Sequence, residues 1–213
     1  MLKLKKNKYS GKLIVFEGTD GAGKTSMIEL TKQLLGREVG EDKIICVKQP
    51  TDMSRKTKLF QKMMYSKNHD DVDYRAVQLL TMSDRVQHTF EVIVPALEAG
   101  KIVICDRYIF TSLANMLARG YTNEDWFFKA ARHLIRPDLS ILVYASPQIA
   151  IKRIKARPEE CDRYLDKELL IKVANQFIKM AKQEKLQIIN SENDPACTFI
   201  NLKMILMRRG FLS

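Results

Sequence analysis

The sequence predicts an α/β fold in which a parallel sheet is covered by helices on both faces. Three observations predict it. Short, almost wholly apolar runs recur along the 213 residues, amphipathic stretches of helical length separate them, and 46% of the chain is hydrophobic, enough for one sizeable core.

The first run is Leu13-Ile14-Val15 inside KLIVFEG, followed by a helical pattern over Thr25–Leu35. KIICVKQP, KIVICDRY, LSILVYAS and LQIINS supply four further strand-like runs. Helical patterns occupy Ala76–Gly100, Asn123–Ile135, Pro147–Arg157 and Lys167–Gln183. The runs are strand-sized and lack the polar alternation of a half-exposed sheet, so both of their faces are expected to be covered. Residues 13–213 read as one domain and residues 1–12 as a basic arm. In a sheet of this kind ligands gather at the carboxyl ends of the strands, so the chemistry is expected just after each run.

Composition narrows the function classes. No apolar run approaches the ~18 residues of a membrane span, and MLKLKKNKYSGK lacks the apolar segment of a secretory signal, so the expected location is cytoplasmic, without a membrane partner. Cys46, Cys105, Cys161 and Cys197 form no close pair, and His69, His88 and His133 are dispersed. Neither a disulfide framework nor a transition-metal centre is expected. Cys46 and Cys105, inside apolar runs, read as small core residues. The net charge is +11, and five lysines fall in the first twelve residues with no acid among them. The arm reads as solvated and not as a nucleic-acid grip; much of the remaining excess suits anionic substrates.

Gly18-Thr19-Asp20-Gly21-Ala22-Gly23-Lys24-Thr25 fits GxxxxGK[ST] at every fixed position, between a strand and a helix. Glycines let such a loop turn tightly and aim backbone N–H groups at phosphate oxygens at a helix amino terminus. Lys24 is placed to reach the β- and γ-phosphates of a nucleoside triphosphate, and the Thr25 hydroxyl to ligate Mg²⁺. Ser26 completes the loop. Asp106, closing KIVICD, stands where a carboxylate can hold that metal directly or through water. Arg107 follows it toward the same crevice, where a guanidinium can fork onto phosphate. Asp84 and Arg85 lie inside an amphipathic helix and by themselves read as a solvated face. Lys152, Arg153, Lys155 and Arg157 crowd the end of a helix that Pro158 should stop, and Arg163 follows.

Taken in order, FEGTDGAGKT, LLTMSDRVQH, the DRY after the third strand, RPDLSILVY and IKRIKARPEECDR resemble the thymidylate kinase family of nucleoside-monophosphate kinases, over about residues 13–177. The resemblance implies a five-stranded parallel sheet in a P-loop NTPase fold, a mobile lid near residues 153–165, a homodimer, and transfer of the ATP γ-phosphoryl to dTMP with Mg²⁺. It implies that Asp20 contacts the acceptor sugar, that Arg107 binds the acceptor phosphate, and that Arg85 reaches its base or phosphate. Thr81, Ser112 and Asn115 fall at acceptor-side positions. Gly21 stands where some members carry a basic residue, so the resemblance puts the catalytic arginine in the lid, with Arg153 and Arg163 favoured over Arg157.

The chain departs from the family pattern on the acceptor side. Gln49-Pro50-Thr51-Asp52 replaces an acid, proline and two glycines, and Phe60 lies near the place of a usual arginine. Thr81 replaces a phenylalanine that stacks on thymine, Asn115-Met116 a Tyr-Gln pair, and Tyr144 an aspartate. A kinase for a different nucleotide or nucleoside therefore stays open beside the dTMP reading. A non-catalytic nucleotide-dependent protein is disfavoured, since Lys24, Asp106 and the lid arginines are all present.

Overall fold

The computed structural model describes residues 2–68, 71–158 and 165–213. In chain order the elements are β1 (Lys12–Glu17), α1 (Lys24–Val39), β2 (Ile44–Lys48), α2 (Asp52–Arg55), α3 (Lys58–Tyr65), α4 (Tyr74–His88), α5 (Val94–Glu98), β3 (Ile102–Asp106), α6 (Ile109–Ala118), α7 (Asp125–Ala131), β4 (Leu139–Tyr144), α8 (Pro147–Lys155), α9 (Lys167–Glu184), β5 (Gln187–Asn190) and α10 (Pro195–Arg208). All five expected strands form, and every pairing is parallel in the order β2-β3-β1-β4-β5. The order reverses between β1 and β3, which opens a crevice at their carboxyl ends.

Alternation along the strands sorts the core into two layers. Leu13 and Val15 of β1 join Val103 and Cys105 of β3 against α4, α6 and α9, in one cluster with Val77, Leu113 and Phe177. Ile14 and Phe16 join Ile104 and Ile141 on the other face, against Met27 and Leu35 of α1 and Leu202 and Leu206 of α10. Burial on both sides explains the unbroken apolar character of β1, β3 and β4. β2 is an edge strand, and there the expectation fails. Cys46 is exposed, whereas Cys105 is buried as expected.

The single helix expected over residues 76–100 is α4, a π-helical turn over Thr89–Ile93, and α5. The widened turn comes just before Pro95, which has no N–H to donate and whose ring crowds the preceding carbonyls. The amino-terminal arm is docked and not loose. Leu2 is 1% exposed, its N–H donates to Glu184 Oε1 at 2.7 Å, and Lys5 bridges to Ile135. Its lysine side chains do face solvent. No described helix is long and apolar enough to cross a membrane.

Candidate active site

Glu17 ends β1 with its side chain fully inside the protein. Its Oε1 accepts from the N–H groups of Tyr108 (2.9 Å) and Phe110 (3.2 Å), and its Oε2 accepts from the Thr111 hydroxyl. These bonds tie the loop after β3 to the end of β1. Burial pushes the Glu17 carboxyl above its ordinary value, against the Thr111 bond and the charge of Arg107. The residue they hold, Arg107, has φ 66°, a left-handed conformation costing an ordinary side chain about 1–2 kcal/mol. Its guanidinium crosses to the Gly18 carbonyl (3.0 Å), to Thr111 Oγ1 (3.3 Å) and to Asp20. Burial pulls the Arg107 pKa down, but Asp20, Asp106 and Glu17 outweigh it and raise the value.

The glycine-rich loop closes over this arrangement. Gly21 has φ 76°, and a Cβ there would meet the Ala150 carbonyl oxygen at 2.3 Å. Gly18 is equally tight, at 2.3 Å from the Val143 oxygen. No side chain fits at either place, whatever its charge. Lys24 lies buried along the loop, its Nζ donating to the carbonyls of Gly18 (3.1 Å) and Thr19 (2.8 Å). Burial, then the charge of Arg107, lowers its pKa to about 7.

One cavity of about 340 Å³ collects most of the residues singled out in the sequence. Asp20, Gly21, Gly23, Lys24 and Thr25 line it from the loop, Asp106 and Arg107 from the end of β3, Thr81 and Arg85 from α4, and Ser112 and Asn115 from α6. Gly18, Ala22 and Ser26 are not among the lining residues; Gly18 and Ala22 brace the loop from behind through their carbonyls. Asp106 Oδ1 is buried without a partner, and the exposed Thr25 faces the same space. Those two oxygens fit a hard divalent cation that keeps most of its water.

Several expectations change in three dimensions. Asp84 and Arg85 are each 1% exposed and form no solvated face. Asp84 accepts from the Thr51 N–H (2.7 Å) and hydroxyl (2.8 Å), pinning the loop after β2. Arg85 turns into the cavity wall with Nη1 on the Thr81 carbonyl (3.2 Å) and Nε unpartnered. Arg153 is absent from the cavity lining and sits behind the loop. It donates to the Gly21 carbonyl (3.3 Å), to Ser191 Oγ (2.9 Å) and to the Ser191 carbonyl (2.9 Å). Arg157, one turn further, lines the cavity. Arg163 and most of the expected lid tip lie outside the described residues.

Sequence reasoning missed three cavity cations, Lys48, Arg55 and Arg119, and the loop anchor. Arg55 of α2 lines the cavity with Nε on the Pro50 carbonyl (2.7 Å) and its guanidinium 5.7 Å from the Phe60 ring centroid. It enters from the helix before the one where the sequence shows Phe60 in place of the family's arginine. Arg119, at the end of α6, also lines the cavity. None of the three has a sequence signal beyond being a charge near an apolar stretch. Glu17 had one, a carboxylate closing a buried strand directly before the loop.

Comparison with known proteins bears on the family and the fold. The sequence profile of the family described as thymidylate kinase matches residues 16–199. A protein of Pyrococcus abyssi named probable thymidylate kinase is 38% identical over 187 residues, covering 85% of this chain and 88% of the other. A thymidylate kinase of Geobacillus thermodenitrificans is 35% identical over 191 residues, covering 85% and 83%. The crystal structure of thymidylate kinase from Ehrlichia chaffeensis shares the fold, with a TM-score of 0.67 at 20% identity over 92% of this chain and 98% of that one.

Proposed function

The chain belongs to the thymidylate kinase family, and we propose from that premise that it transfers the γ-phosphoryl group of ATP to dTMP, giving dTDP and ADP. One observation carries the reading: Lys24, Asp20, Asp106 and Arg107 converge on a single cavity at the point where the strand order reverses. The loop N–H groups and Lys24 hold the donor phosphates. Arg107 and Arg55 hold the acceptor phosphate, and Asp20, already fixed by Arg107, faces the acceptor sugar. An oxygen of the acceptor phosphate then attacks the γ-phosphorus while the bond from that phosphorus to the β-bridging oxygen breaks and ADP leaves. Negative charge spreads over the transferring group, and the fixed cations around the cavity stabilise it.

Thr25 and Asp106 would hold Mg²⁺, which when bound would offset the negative charge of the donor phosphates. The lid-arginine role falls to Arg157 and Arg163. We also propose a homodimer, supported by two bulky apolar side chains left in solvent on the face of α4 and the π turn, Leu79 (55% exposed) and Phe90 (72%). A cytoplasmic location is in keeping with the absence of a spanning helix among the described residues.

The test is a coupled assay of ADP release with ATP, Mg²⁺ and a panel of monophosphates. The expected result is dTMP-dependent release that chelation of the metal removes and that Lys24→Ala lowers at least about 100-fold, ~2.7 kcal/mol. Release that ignores dTMP, or a fully active Lys24→Ala protein, overturns the reading. Sedimentation at micromolar concentration tests the dimer.

A further inference from the structure

Residues 2–9 lie along the protein with their side chains sorted by kind. Leu2 and Leu4 join the core layer formed with α6 and α9, and Tyr9 packs against the same layer. Asn7 also turns inward, its Nδ2 donating to Asp138 Oδ2 at 2.7 Å and to the Gly11 carbonyl at 3.0 Å. Lys3, Lys5, Lys6 and Lys8 are left exposed. Backbone bonds hold the row in place: Lys5 N–H donates to the Leu134 carbonyl at 2.9 Å, and Arg136 N–H to the Lys5 carbonyl at 2.6 Å. A loose lysine tail would have to be ordered by whatever it binds. Here folding has already ordered it, so the lysines form a fixed array.

The array is of one sign. Two acids touch the arm, and both serve it from the inner side. Glu184 accepts from the Leu2 N–H at 2.7 Å, and Asp138 accepts from Asn7 and from the Leu13 N–H at 2.9 Å, with Lys12 Nζ 3.6 Å away. Among the described residues no carboxylate pairs with Lys3, Lys5, Lys6 or Lys8. Exposed Arg132, Arg136 and Lys185 stand on or beside the segments to which the arm is bonded and add to the same charge.

What such an array can hold follows from what it lacks. Both leucines are spent on docking, so the outer side of the arm has no apolar side chain to enter a bilayer. Tyr9, the one aromatic of the first twelve residues, is packed inward with Lys8 Nζ 5.9 Å from its ring centroid, so the arm offers no platform for stacking an unpaired base. Charge at a fixed spacing remains. Five residue steps of an extended chain, Lys3 to Lys8, cover about 16 Å. A nucleic-acid duplex carries one phosphate per ~3.4 Å on each strand, so four lysines face about five phosphates.

We propose that the docked arm is a basic platform for the phosphate backbone of a nucleic-acid duplex, held by charge and without regard to base sequence. The catalytic crevice opens at the other end of the strands, so both can be occupied at once. The platform does not depend on the phosphotransfer reading or on the acceptor.

The experiment is fluorescence anisotropy of labelled DNA and RNA duplexes of about 20 base pairs, titrated with the full chain between about 50 and 200 mM salt. The variant Lys3→Gln/Lys5→Gln/Lys6→Gln/Lys8→Gln keeps the leucines that seat the arm. A charge-matched control, Lys32→Gln/Arg37→Gln/Lys43→Gln/Lys203→Gln, removes four exposed cations from the α1 and α10 side. The wild type should bind either duplex and lose at least about 100-fold in affinity across that salt range. The arm variant should lower the steepness of log affinity against log salt by about 3, Lys3→Gln/Lys5→Gln by about half as much, and the control by less than about 1. ATP turnover with dTMP should stay within about twofold in all three, as their side chains are remote from the crevice. A wild type that binds neither duplex at about 50 mM salt, or an arm variant and control that lose equally, overturns the platform. So does a wild type that sediments with vesicles of anionic phospholipid while leaving both duplexes unbound.

Discussion

Two buried charges, one of each sign, decide how the crevice is set at the residue scale. Lys24 has its pKa lowered to about 7 by burial and by the neighbouring guanidinium of Arg107. A group whose folded pKa lies below its unfolded value of 10.5 binds fewer protons when folded, so its penalty on stability shrinks as pH rises through that window. A triphosphate beside Nζ restores the charged form, so ATP binding should take up a proton. We expect an uptake approaching one per site near pH ~8 and close to none near pH ~5.5. Calorimetry of ATP binding in buffers of different ionisation enthalpy checks it, and a buffer-independent heat at the higher pH refutes it. Glu17 has the opposite sense. Its folded pKa is raised by burial, so the ionised carboxylate costs stability at neutral pH, and stability is regained as pH falls through the folded value toward 4.5. Glu17→Gln should remove that pH dependence and still fold, because an amide oxygen can keep both backbone bonds while its NH₂ donates to Thr111. Glu17→Ala leaves the N–H groups of Tyr108 and Phe110 unpaired, at a cost of about 1–3 kcal/mol each. Urea unfolding of the three proteins between about pH 4.5 and 7.5 separates these outcomes. Equal stability of Glu17→Ala and wild type would show that the β3 loop is held by something else.

At the scale of elements, the strands were legible because each is a short apolar run, and the phosphate loop because its spacing is fixed by backbone geometry. α6 and α10 were not legible. Six of the ten residues of α6 are buried, and its polar residues, Thr111, Ser112 and Asn115, make too short a stripe to betray its period. Arg55 and Arg119 reach the cavity only through how α2 and α6 pack, which no spacing in the chain encodes. α8 and the turn after it show the same limit in their arginines. Arg153 and Arg157 are four residues apart and equivalent as sequence, yet one braces the back of the loop and the other faces the cavity. Their roles should therefore divide. Arg153→Ala removes bonds to Gly21 and Ser191 and loosens the donor loop, so KM for ATP should rise about tenfold with kcat little changed. Arg157→Ala should depress kcat about tenfold or more with KM for ATP within about twofold, the kinetic mark of a contact strongest in the transition state. Identical kinetic changes in the two variants would refute the division. Gly21 belongs to the same contact. A Cβ added there would lie 2.3 Å from the Ala150 carbonyl oxygen, so a basic side chain cannot replace this glycine, which is a steric reason for supplying catalytic cations from α8 and beyond.

Across the whole molecule the sheet has two ends with separate duties. The carboxyl ends of β1 and β3 carry the loop, Asp106 and Arg107, while the amino ends are closed by the docked arm. Leu2 is seated in the core layer under α6 and α9, its carbonyl accepts from Arg136 at 3.1 Å, and Lys5 exchanges backbone bonds with Leu134 (2.9 Å) and Arg136 (2.6 Å). The sequence showed only five lysines here and suggested a solvated tail. The two leucines set among them, Leu2 and Leu4, were the missed signal, since a tail with no docking site has no use for apolar side chains. The arm should thus stabilise the fold without touching the chemistry. Leu2→Ala removes a fully buried side chain near a chain end, where neighbours can close part of the gap, so a cost of about 1–3 kcal/mol is expected. For a domain of this size that lowers Tm by roughly 2–12 °C. At room temperature, kcat and both KM values should stay within about twofold of wild type, because the crevice lies at the far end of the strands. Thermal unfolding with and without ATP, alongside steady-state kinetics, measures both halves. An unchanged Tm would mean that the arm is not seated. A large loss of activity in a protein still folded at room temperature would mean that the two ends of the sheet are coupled.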